Sequence, residues 1–236
     1  MEISNRLKAI CDLCDKGKVV ADIGCDHGYV SITLTNNGIF DKALAMDINE
    51  GPLKLARENI RLYGDDSKIE TRLSNGLEKL EAGEADTVII AGMGGLLIRD
   101  ILKAGESKLS SVKQLILGAQ SDLDKVRKYV REINFIIIDE EMILEDGKYY
   151  QLIKAERADG PVDSVEGCQD IYDMFGPCLL SKQHDVLYAY LNHQKVVYDG
   201  ILSKLSGKED GRIMDRVKEL TKELDTINKA LDMFKK

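Results

Sequence analysis

The sequence predicts an α/β fold in which a five-stranded parallel sheet ends in an antiparallel hairpin and is followed by a helical hairpin. Three observations predict this arrangement. Short aliphatic runs alternate with helical patterns through the N-terminal half of the chain. Two strand-like runs then flank an Asp-Gly pair, which is a strong hairpin signal. The C-terminal part carries apolar residues at the three-to-four spacing of helices.

The first strand–turn–helix unit reads VVADIGCDHG, followed by YVSITLTNNG. The aliphatic run predicts a buried parallel strand. Gly24 and Gly28 allow a tight turn and a close backbone approach at its carboxyl end. A strand, a glycine turn and a helix form the architecture that binds nucleotide-like ligands at a helix N-terminus.

The spacing in this turn differs from the dinucleotide fingerprint G-x-G-x-x-G. Asp26 replaces the middle glycine, and Asp22 lies two residues before Gly24. Carboxylates repel a pyrophosphate but attract a cation. The turn therefore favours S-adenosylmethionine, which carries a sulfonium and an ammonium group, over NAD. The alternative is an ordinary strand–helix turn with a capping aspartate.

The remaining elements follow the same alternation, which places a parallel sheet between two layers of helices. A short amphipathic helix over 3–14 precedes the first strand. The predicted strands are 18–23, 42–47, 68–73, 85–91 and 114–117. The predicted helical segments are 29–36, 51–63, a short turn at 76–80, 95–104 and 122–133.

The runs 135–144 and 149–156 break the alternation and flank Asp146-Gly147. A parallel sheet finished by such a hairpin is the usual layout of class I methyltransferases. Near Gly160 the composition changes to small and polar residues, which predicts a domain boundary there. The expected domains are therefore 1–160, which would bind S-adenosylmethionine, and 161–236, which would be helical.

The C-terminal domain is predicted to be a coiled-coil hairpin. One long helical pattern runs from about Leu179 to Leu205, and 207–211 reads as a turn. The second helix has apolar residues at alternating four and three spacing, which is typical of a coiled-coil seam. These residues are Ile213, Val217, Leu220, Leu224, Ile227, Leu231 and Phe234.

Composition limits the classes of function. The chain of 236 residues is 44% hydrophobic and has a net charge of −8, which argues against non-specific DNA binding but leaves RNA open. No apolar run is long enough to span a bilayer, and no signal peptide is recognisable, so the expected location is the cytoplasm. A monomer is compatible with the sequence, which leaves the oligomeric state open.

The pair Cys11-x-x-Cys14 could be half of a zinc site or a redox pair. No second CxxC follows, and none of the three histidines has ligand spacing to this pair. The pair lies in the amphipathic pattern of the first helix. We therefore interpret both residues as half-buried helix thiols and predict no metal site.

Further candidate ligand contacts follow later strands. Asp47 ends the second strand, 23 residues after Gly24. An acid at about this distance from the glycine turn accepts hydrogen bonds from ribose hydroxyls. The alternative is that Asp47 or Asn49 is the N-cap of the following helix. Asn75-Gly76 follows the third strand, where an adenine would lie, and is otherwise an Asn-Gly turn. The cluster 91–95 after the fourth strand predicts a close approach of ligand to backbone, or a structural glycine turn.

These motifs resemble a known family. ADIGCDHGYV, AMDIN, SNGLE, IIAGMGG and LEDGKYYQLIKAE occur in the order and spacing of the bacterial TrmK-type enzymes, the tRNA (adenine(22)-N(1))-methyltransferases, over essentially the whole chain. The resemblance implies methionine-end contacts from Gly24, Asp26 and Gly28 and a ribose contact from Asp47. It also implies adenine contacts from Asn75 and Gly76, with Met93 and Gly94 lining the site. The predicted donor site is completed by Asp22, Ile48, Ala91 and Gly92.

The implied reaction is methylation of N1 of adenosine 22 in tRNA. We assign Asp26, His27 and Tyr29 as the candidate catalytic residues, with a local hydrogen bond as the alternative for His27. The alternative functions are methylation of a small molecule or protein, or a non-catalytic binding module. The hairpin offers candidate tRNA contacts at Lys204, Lys208, Arg212, Arg216, Lys218 and Lys222. The alternatives for this surface are a solvated helix face or a dimer seam. The candidate tRNA contacts near the sheet are Arg6, Lys8, Lys125, Arg127, Lys128 and Arg131.

Overall fold

The structure is a computed structural model that describes residues 1–164, 167–205 and 211–235. The chain divides into two compact units, Met1–Ser164 and Val165–Lys236. No helix in the described ranges is both long enough and apolar enough to cross a bilayer.

The first unit contains a seven-stranded sheet with the order β3-β2-β1-β4-β5-β7-β6. Strands β1 to β5 run parallel, and β7 pairs antiparallel with both β5 and β6. The strands are β1 (Gly17–Ile23), β2 (Phe40–Asp47), β3 (Ile69–Leu73), β4 (Thr87–Met93), β5 (Gln114–Ala119), β6 (Phe135–Glu145) and β7 (Lys148–Arg157). The predicted parallel sheet with a terminal hairpin is thus confirmed.

Helices cover both faces of this sheet, which explains why its strands are continuous aliphatic runs. Successive strand residues point to opposite faces, so Val20 and Ile89 join one core while Ala21 and Ile90 join the other. The helices of this unit are α1 (Asn5–Leu13), α2 (Tyr29–Asn36), α3 (Glu50–Tyr63), α4 (Gly95–Ala104) and α5 (Leu123–Glu132). A 3₁₀ turn, Glu106–Ser111, precedes β5.

The strand order creates a switch point between β1 and β4. Strands β2 and β3 follow on one side of β1, and β4 then pairs with the other side of β1. In open parallel sheets, ligands bind outside the carboxyl ends of the strands at such a point. The fold therefore directs the ends of β1, β2 and β4 toward one shared site.

Gly95 connects the loops after β4 and β5 at this edge of the sheet. Its N–H donates to the carbonyl of Ser121 at 3.0 Å, which joins the loop after β4 to the loop after β5. A Cβ at position 95 would lie 2.3 Å from that carbonyl oxygen and 2.7 Å from the carbonyl oxygen of Asp122. Only glycine allows this approach, so the residue is a packing requirement of the sheet edge.

The prediction that Arg127 contacts RNA is wrong. Its side chain is fully buried, and Nε donates to Oε1 of the buried Glu140 at 2.7 Å while Nη2 donates to Gln151 Oε1 at 2.8 Å. This network ties α5 to the terminal hairpin. A guanidinium that is withdrawn from solvent in this way cannot reach a phosphate, so Arg127 does not contact RNA.

The second unit contains four helices in its described part. They are α6 (Gln169–Phe175), α7 (Pro177–Ser181), α8 (Asp185–Leu205) and α9 (Gly211–Asp232). The prediction of a single helix from Leu179 to Leu205 is wrong. The chain turns at Gln183, whose φ of +56° is left-handed, and the turn separates α7 from α8.

Helices α8 and α9 contact each other and run antiparallel. Gln183, before α8, donates to the carbonyl of Met233 after α9, and Tyr198 in α8 donates its hydroxyl to Glu223 at 2.7 Å. The predicted turn at 207–211 falls mostly outside the described residues. The coiled-coil geometry of the pair stays a prediction.

Candidate active site

A cavity of about 670 Å³ lies at the carboxyl edge of the sheet, at the switch point. This volume is within the range of roughly 300–1,000 Å³ typical of small-molecule sites. Most of the predicted site residues line it: Asp22, Gly24, Asp26, His27, Tyr29, Asp47, Ile48, Asn75, Gly76, Ala91, Gly92 and Met93. Residues from four strand ends, far apart in sequence, thus meet in one place.

Gly28 and Gly94 are the two predicted site residues outside this lining. Gly28 lies beneath the loop, where a Cβ would be 3.2 Å from the Ala56 Cβ of α3. Gly94 is the N-cap of α4, and a Cβ there would lie 3.3 Å from Ser121 Oγ. The structure therefore places both glycines where neighbouring elements pack closely.

The loop after β1 is held by backbone hydrogen bonds. The N–H groups of Gly24 and Cys25 both donate to the carbonyl of Met46 in β2, at 2.8 and 3.0 Å. Gly24 has a φ of +73°, and a Cβ there would lie 2.3 Å from Cε of Met93, a cavity residue. A side chain at position 24 would therefore be strained and would press on the cavity wall.

Asp26 does not cap the following helix. The N-cap of α2 is Gly28, and the Asp26 side chain accepts no hydrogen bond from this N-terminus in the described residues. Asp26 has a φ of +50°, an uncommon conformation that aspartate tolerates better than most residues. Its side chain is 71% exposed at the cavity. The capping alternative therefore does not explain this acid.

Asp22 is the buried acid of the site. It is 5% exposed, and its Oδ2 accepts a hydrogen bond from Ser31 Oγ at 2.8 Å. Burial raises the pKa of Asp22 from 3.8 to about 6; the Ser31 hydrogen bond opposes this rise and the nearby Asp47 carboxylate adds to it. A positively charged ligand would favour the ionised form of Asp22.

The raised pKa of Asp22 predicts a pH-dependent stability of the ligand-free protein. The folded state keeps a proton that the unfolded state releases between pH 3.8 and about 6. The stabilising contribution is therefore present below pH 3.8 and is lost as the pH rises through 6. Relative to Asp22→Asn, the free energy of unfolding should fall by about 2 kcal/mol from pH 4 to pH 7. Chemical denaturation of both proteins tests this, and parallel pH profiles would contradict it.

Asp47 lies at the end of β2 and is 8% exposed. Its Oδ1 accepts from the N–H of Asn49 at 2.9 Å. Asn49 is the N-cap of α3 but makes no side-chain capping bond. Neither residue therefore caps α3 with its side chain, and the second carboxylate oxygen of Asp47 has no hydrogen bond to a described residue.

The loop after β3 closes another side of the cavity. Ser74 donates its hydroxyl to the Gly76 carbonyl at 2.8 Å and accepts from the Lys79 N–H at 3.1 Å, which holds the turn. The Asn75 amide nitrogen lies 3.2 Å from Glu78 Oε1. An adenine at this loop would meet the remaining polar groups of Asn75 and the side chain of Ile101.

His27 and Tyr29 form a small aromatic surface at the cavity. Their ring centroids are 5.7 Å apart with 24° between the planes. Nε2 of His27 lies 3.6 Å from Asp26 Oδ2, and the backbone carbonyl of His27 accepts from Asn59 Nδ2 at 3.0 Å. The distance of 3.6 Å is longer than a hydrogen bond, so the local hydrogen bond of the alternative interpretation stays a prediction.

Sequence reasoning did not assign several lining residues to the donor site. Three of them, Arg6, Leu7 and Ile10, come from α1. The amphipathic pattern of the sequence predicts this helix but does not indicate that it contacts the cavity. The other additional lining residues are Ile23, Cys25, Val30, Asn49, Ser74, Ile89, Leu97, Ile101 and Gln120. Nothing local in the sequence indicates that Leu97 and Ile101 of α4 line the cavity.

Comparison with known proteins gives matches over the whole chain. Residues 3–153 match the family described as Methyltransferase domain. The tRNA (adenine(22)-N(1))-methyltransferase of Bacillus subtilis (strain 168) is 31% identical over 237 aligned positions, covering 98% of each chain. The solved structure of TrmK from M. capricolum with S-adenosyl-homocysteine has a TM-score of 0.85 and 28% identity, covering 100% of both chains. A Streptococcus pneumoniae protein solved with S-adenosyl-L-methionine has a TM-score of 0.84 and 28% identity, covering 98% of this chain and 100% of that one.

Proposed function

Because this chain belongs to the tRNA (adenine(22)-N(1))-methyltransferase family, we propose that it transfers the methyl group of S-adenosylmethionine to N1 of adenosine 22 in tRNA. The observation that carries the proposal is the charge of the cavity. Asp22, Asp26 and Asp47 all line it, and neither Asp26 nor Asp47 caps a helix with its side chain. A tRNA substrate implies that the enzyme acts in the cytoplasm, and we expect it to act as a monomer.

The residues present fit a cationic nucleoside better than a dinucleotide. The acids would repel the diphosphate of NAD but attract a sulfonium and an ammonium group. Asp47 lies at the position where a carboxylate accepts hydrogen bonds from ribose hydroxyls. The loop Ser74–Gly76 and Ile101 would hold the adenine, and the loop at 24–26 would hold the methionine end. When bound, S-adenosylmethionine supplies an electrophilic methyl group on a positively charged sulfur.

Methyl transfer to N1 of adenine requires little acid–base catalysis from the protein. N1 of neutral adenine has an in-plane lone pair, so no proton must leave before the new C–N bond forms. The methylated ring then carries a positive charge. The protein's main contributions are therefore to orient the acceptor ring and to stabilise the charge that develops on it, and orientation alone supplies about 7–11 kcal/mol in favourable cases.

Asp26 and Tyr29 are placed to make these contributions. The exposed carboxylate of Asp26 stands at the cavity and would stabilise positive charge on the adenine or accept from its exocyclic amine. Tyr29, stacked with His27, offers an aromatic face for the base. Because N1 faces the pairing partner within an RNA helix, the target base must be unpaired or flipped, at a cost of a few kcal/mol.

The direct test is methyl transfer from labelled S-adenosylmethionine to an unmodified tRNA transcript, followed by nucleoside analysis. We expect the label in 1-methyladenosine, and we expect it to disappear with a transcript that carries guanosine at position 22. Label in another nucleoside, or only in protein or small-molecule acceptors, would contradict the proposed substrate. Failure to bind S-adenosylmethionine in calorimetry would contradict the proposed activity altogether.

Asp26→Asn is expected to lower kcat more than it weakens donor binding. The substitution removes the charge that would stabilise the methylated ring, while asparagine tolerates the left-handed backbone at this position. Asp26→Gly is the matched control for the backbone because it relieves the strain and removes the same carboxylate. Both variants should lose about tenfold or more in kcat, with donor affinity within a few-fold of wild type. A loss of donor affinity with unchanged kcat would make Asp26 a binding residue only.

A further inference from the structure

The cavity is acidic on its donor side but carries one arginine. Among the described residues that line it, Arg6 is the single lysine or arginine. It comes from α1, on the side of the cavity formed by the ends of β4 and β5. The sulfonium and ammonium groups of S-adenosylmethionine are attracted by acids, so this cation would face either the carboxylate of the donor or an anionic group of the acceptor.

The structure holds Arg6 in place from two directions. Glu145 Oε1, at the end of β6, accepts from the backbone N–H groups of Asn5 and Arg6 at 2.8 and 3.4 Å, which anchors the start of α1. The guanidinium carbon lies 5.1 Å from the centre of the Tyr150 ring, a cation–π contact with β7. The first turn of α1 is thus fixed on the terminal hairpin.

The guanidinium has no acidic partner within the described ranges. No carboxylate forms an ion pair with it, whereas Lys8, two residues later, pairs with Asp12 at 2.6 Å. Arg6 is half-buried, and its guanidinium, which lies over the Tyr150 ring, makes no hydrogen bond to a described residue. A planar set of N–H donors matches two oxygens of a phosphate.

Arg6 lies on the side of the cavity where β4 ends. Nη1 lies 3.7 Å from the place where a Cβ of Gly92 would stand, beside the end of β4. A small void of about 10 Å³ beside Arg6 is lined by Gln120 and Tyr150 and by none of the three aspartates. An RNA strand that delivers its base to the cavity would bring its backbone along this side.

We propose that Arg6 binds a backbone phosphate next to the target adenosine and so positions the base in the cavity. The proposal rests on the proposed tRNA substrate. A phosphate is the better partner than the adenine ring, because the ring becomes positively charged and a guanidinium against it would oppose the reaction. Arg6 therefore contacts substrate without taking part in the bond changes.

The test measures methylation of a tRNA transcript by Arg6→Ala, Arg6→Met and Arg6→Lys. Arg6→Ala should raise KM for tRNA on the order of tenfold and leave the Kd for S-adenosylmethionine within twofold of wild type. The plot of log affinity for tRNA against log salt should become shallower by about 0.7–0.9, the loss of one phosphate contact. Arg6→Lys should recover part of the affinity, because it keeps the charge but loses the planar set of donors.

Two controls separate this role from simple packing. Arg6→Met keeps an apolar side chain over Tyr150, so recovery of wild-type KM by this variant would show that only packing matters and would overturn the proposal. Lys113→Ala removes an exposed charge at the opposite edge of the sheet, just before β5, and should leave KM and the salt slope unchanged. An equal effect of Lys113→Ala and Arg6→Ala would indicate general electrostatics and would also overturn the proposal. If the wild-type protein methylates no tRNA, the proposed function fails; if it does and Arg6→Ala matches it, only this inference fails.

Discussion

Asp47→Ala is expected to weaken the binding of S-adenosylmethionine about 100-fold. One oxygen of this buried carboxylate is held by the Asn49 N–H, so the other faces the cavity for the two ribose hydroxyls. Hydrogen bonds to a charged group in such a site contribute about 1.5–3 kcal/mol each, and 100-fold corresponds to about 2.7 kcal/mol. Isothermal titration calorimetry measures the change directly.

The matched variant is Asp47→Asn, which keeps an acceptor for the Asn49 N–H and should lose less affinity. S-adenosyl-homocysteine provides a second control, because it has the same ribose but lacks the sulfonium charge. If Asp47 binds the ribose, both ligands should lose affinity by the same factor. A loss confined to S-adenosylmethionine would assign Asp47 to the sulfonium, and unchanged affinity in a folded variant would remove it from the site.

Glu140→Ala is expected to destabilise the first unit by about 3–5 kcal/mol. The substitution leaves the guanidinium of Arg127, which is fully buried, without the carboxylate that compensates its charge. Gln151 retains its bond to Arg127 but supplies no opposite charge. Chemical denaturation followed by circular dichroism, together with hydrogen exchange of β6 and β7, measures the loss.

The control is the double variant Arg127→Met with Glu140→Leu. Replacement of a buried ion pair by apolar side chains of similar volume is often close to neutral, so the double variant should recover most of the stability. The two positions should therefore be strongly coupled in a double-mutant cycle. Additive effects, or a Glu140→Ala variant as stable as wild type, would contradict this account of the network.

The sequence predicted the first unit well because its signals are local. Aliphatic runs such as the one before Gly24 are buried on both faces of a parallel sheet, and the Asp146-Gly147 pair marks its own turn. The same reasoning failed at Gln183. A left-handed residue interrupts a helical pattern that continues on both sides of it, and periodicity cannot detect one residue with a positive φ.

The candidate site was predictable to the extent that each residue follows a strand. Asp22, Asp47, Asn75 and Met93 each lie at or next to the carboxyl end of a parallel strand, and such ends share one edge of a sheet. The contacts predicted for Gly28 and Gly94 stay predictions. Both glycines lie where neighbouring elements pack closely beside the cavity, and the motif that indicates them cannot distinguish a ligand from such a neighbour.

The sequence by itself therefore determined the parallel sheet with its hairpin, the acidic turn after the first strand and the family resemblance, because these depend on neighbouring residues and on their order. Only the tertiary structure decided that Arg127 is buried against Glu140, that Asp22 has a raised pKa, and that Arg6 lines the cavity beside Tyr150. Burial and charge pairing join residues that are far apart along the chain. Such energies depend on distance and solvent exposure, which no local pattern records.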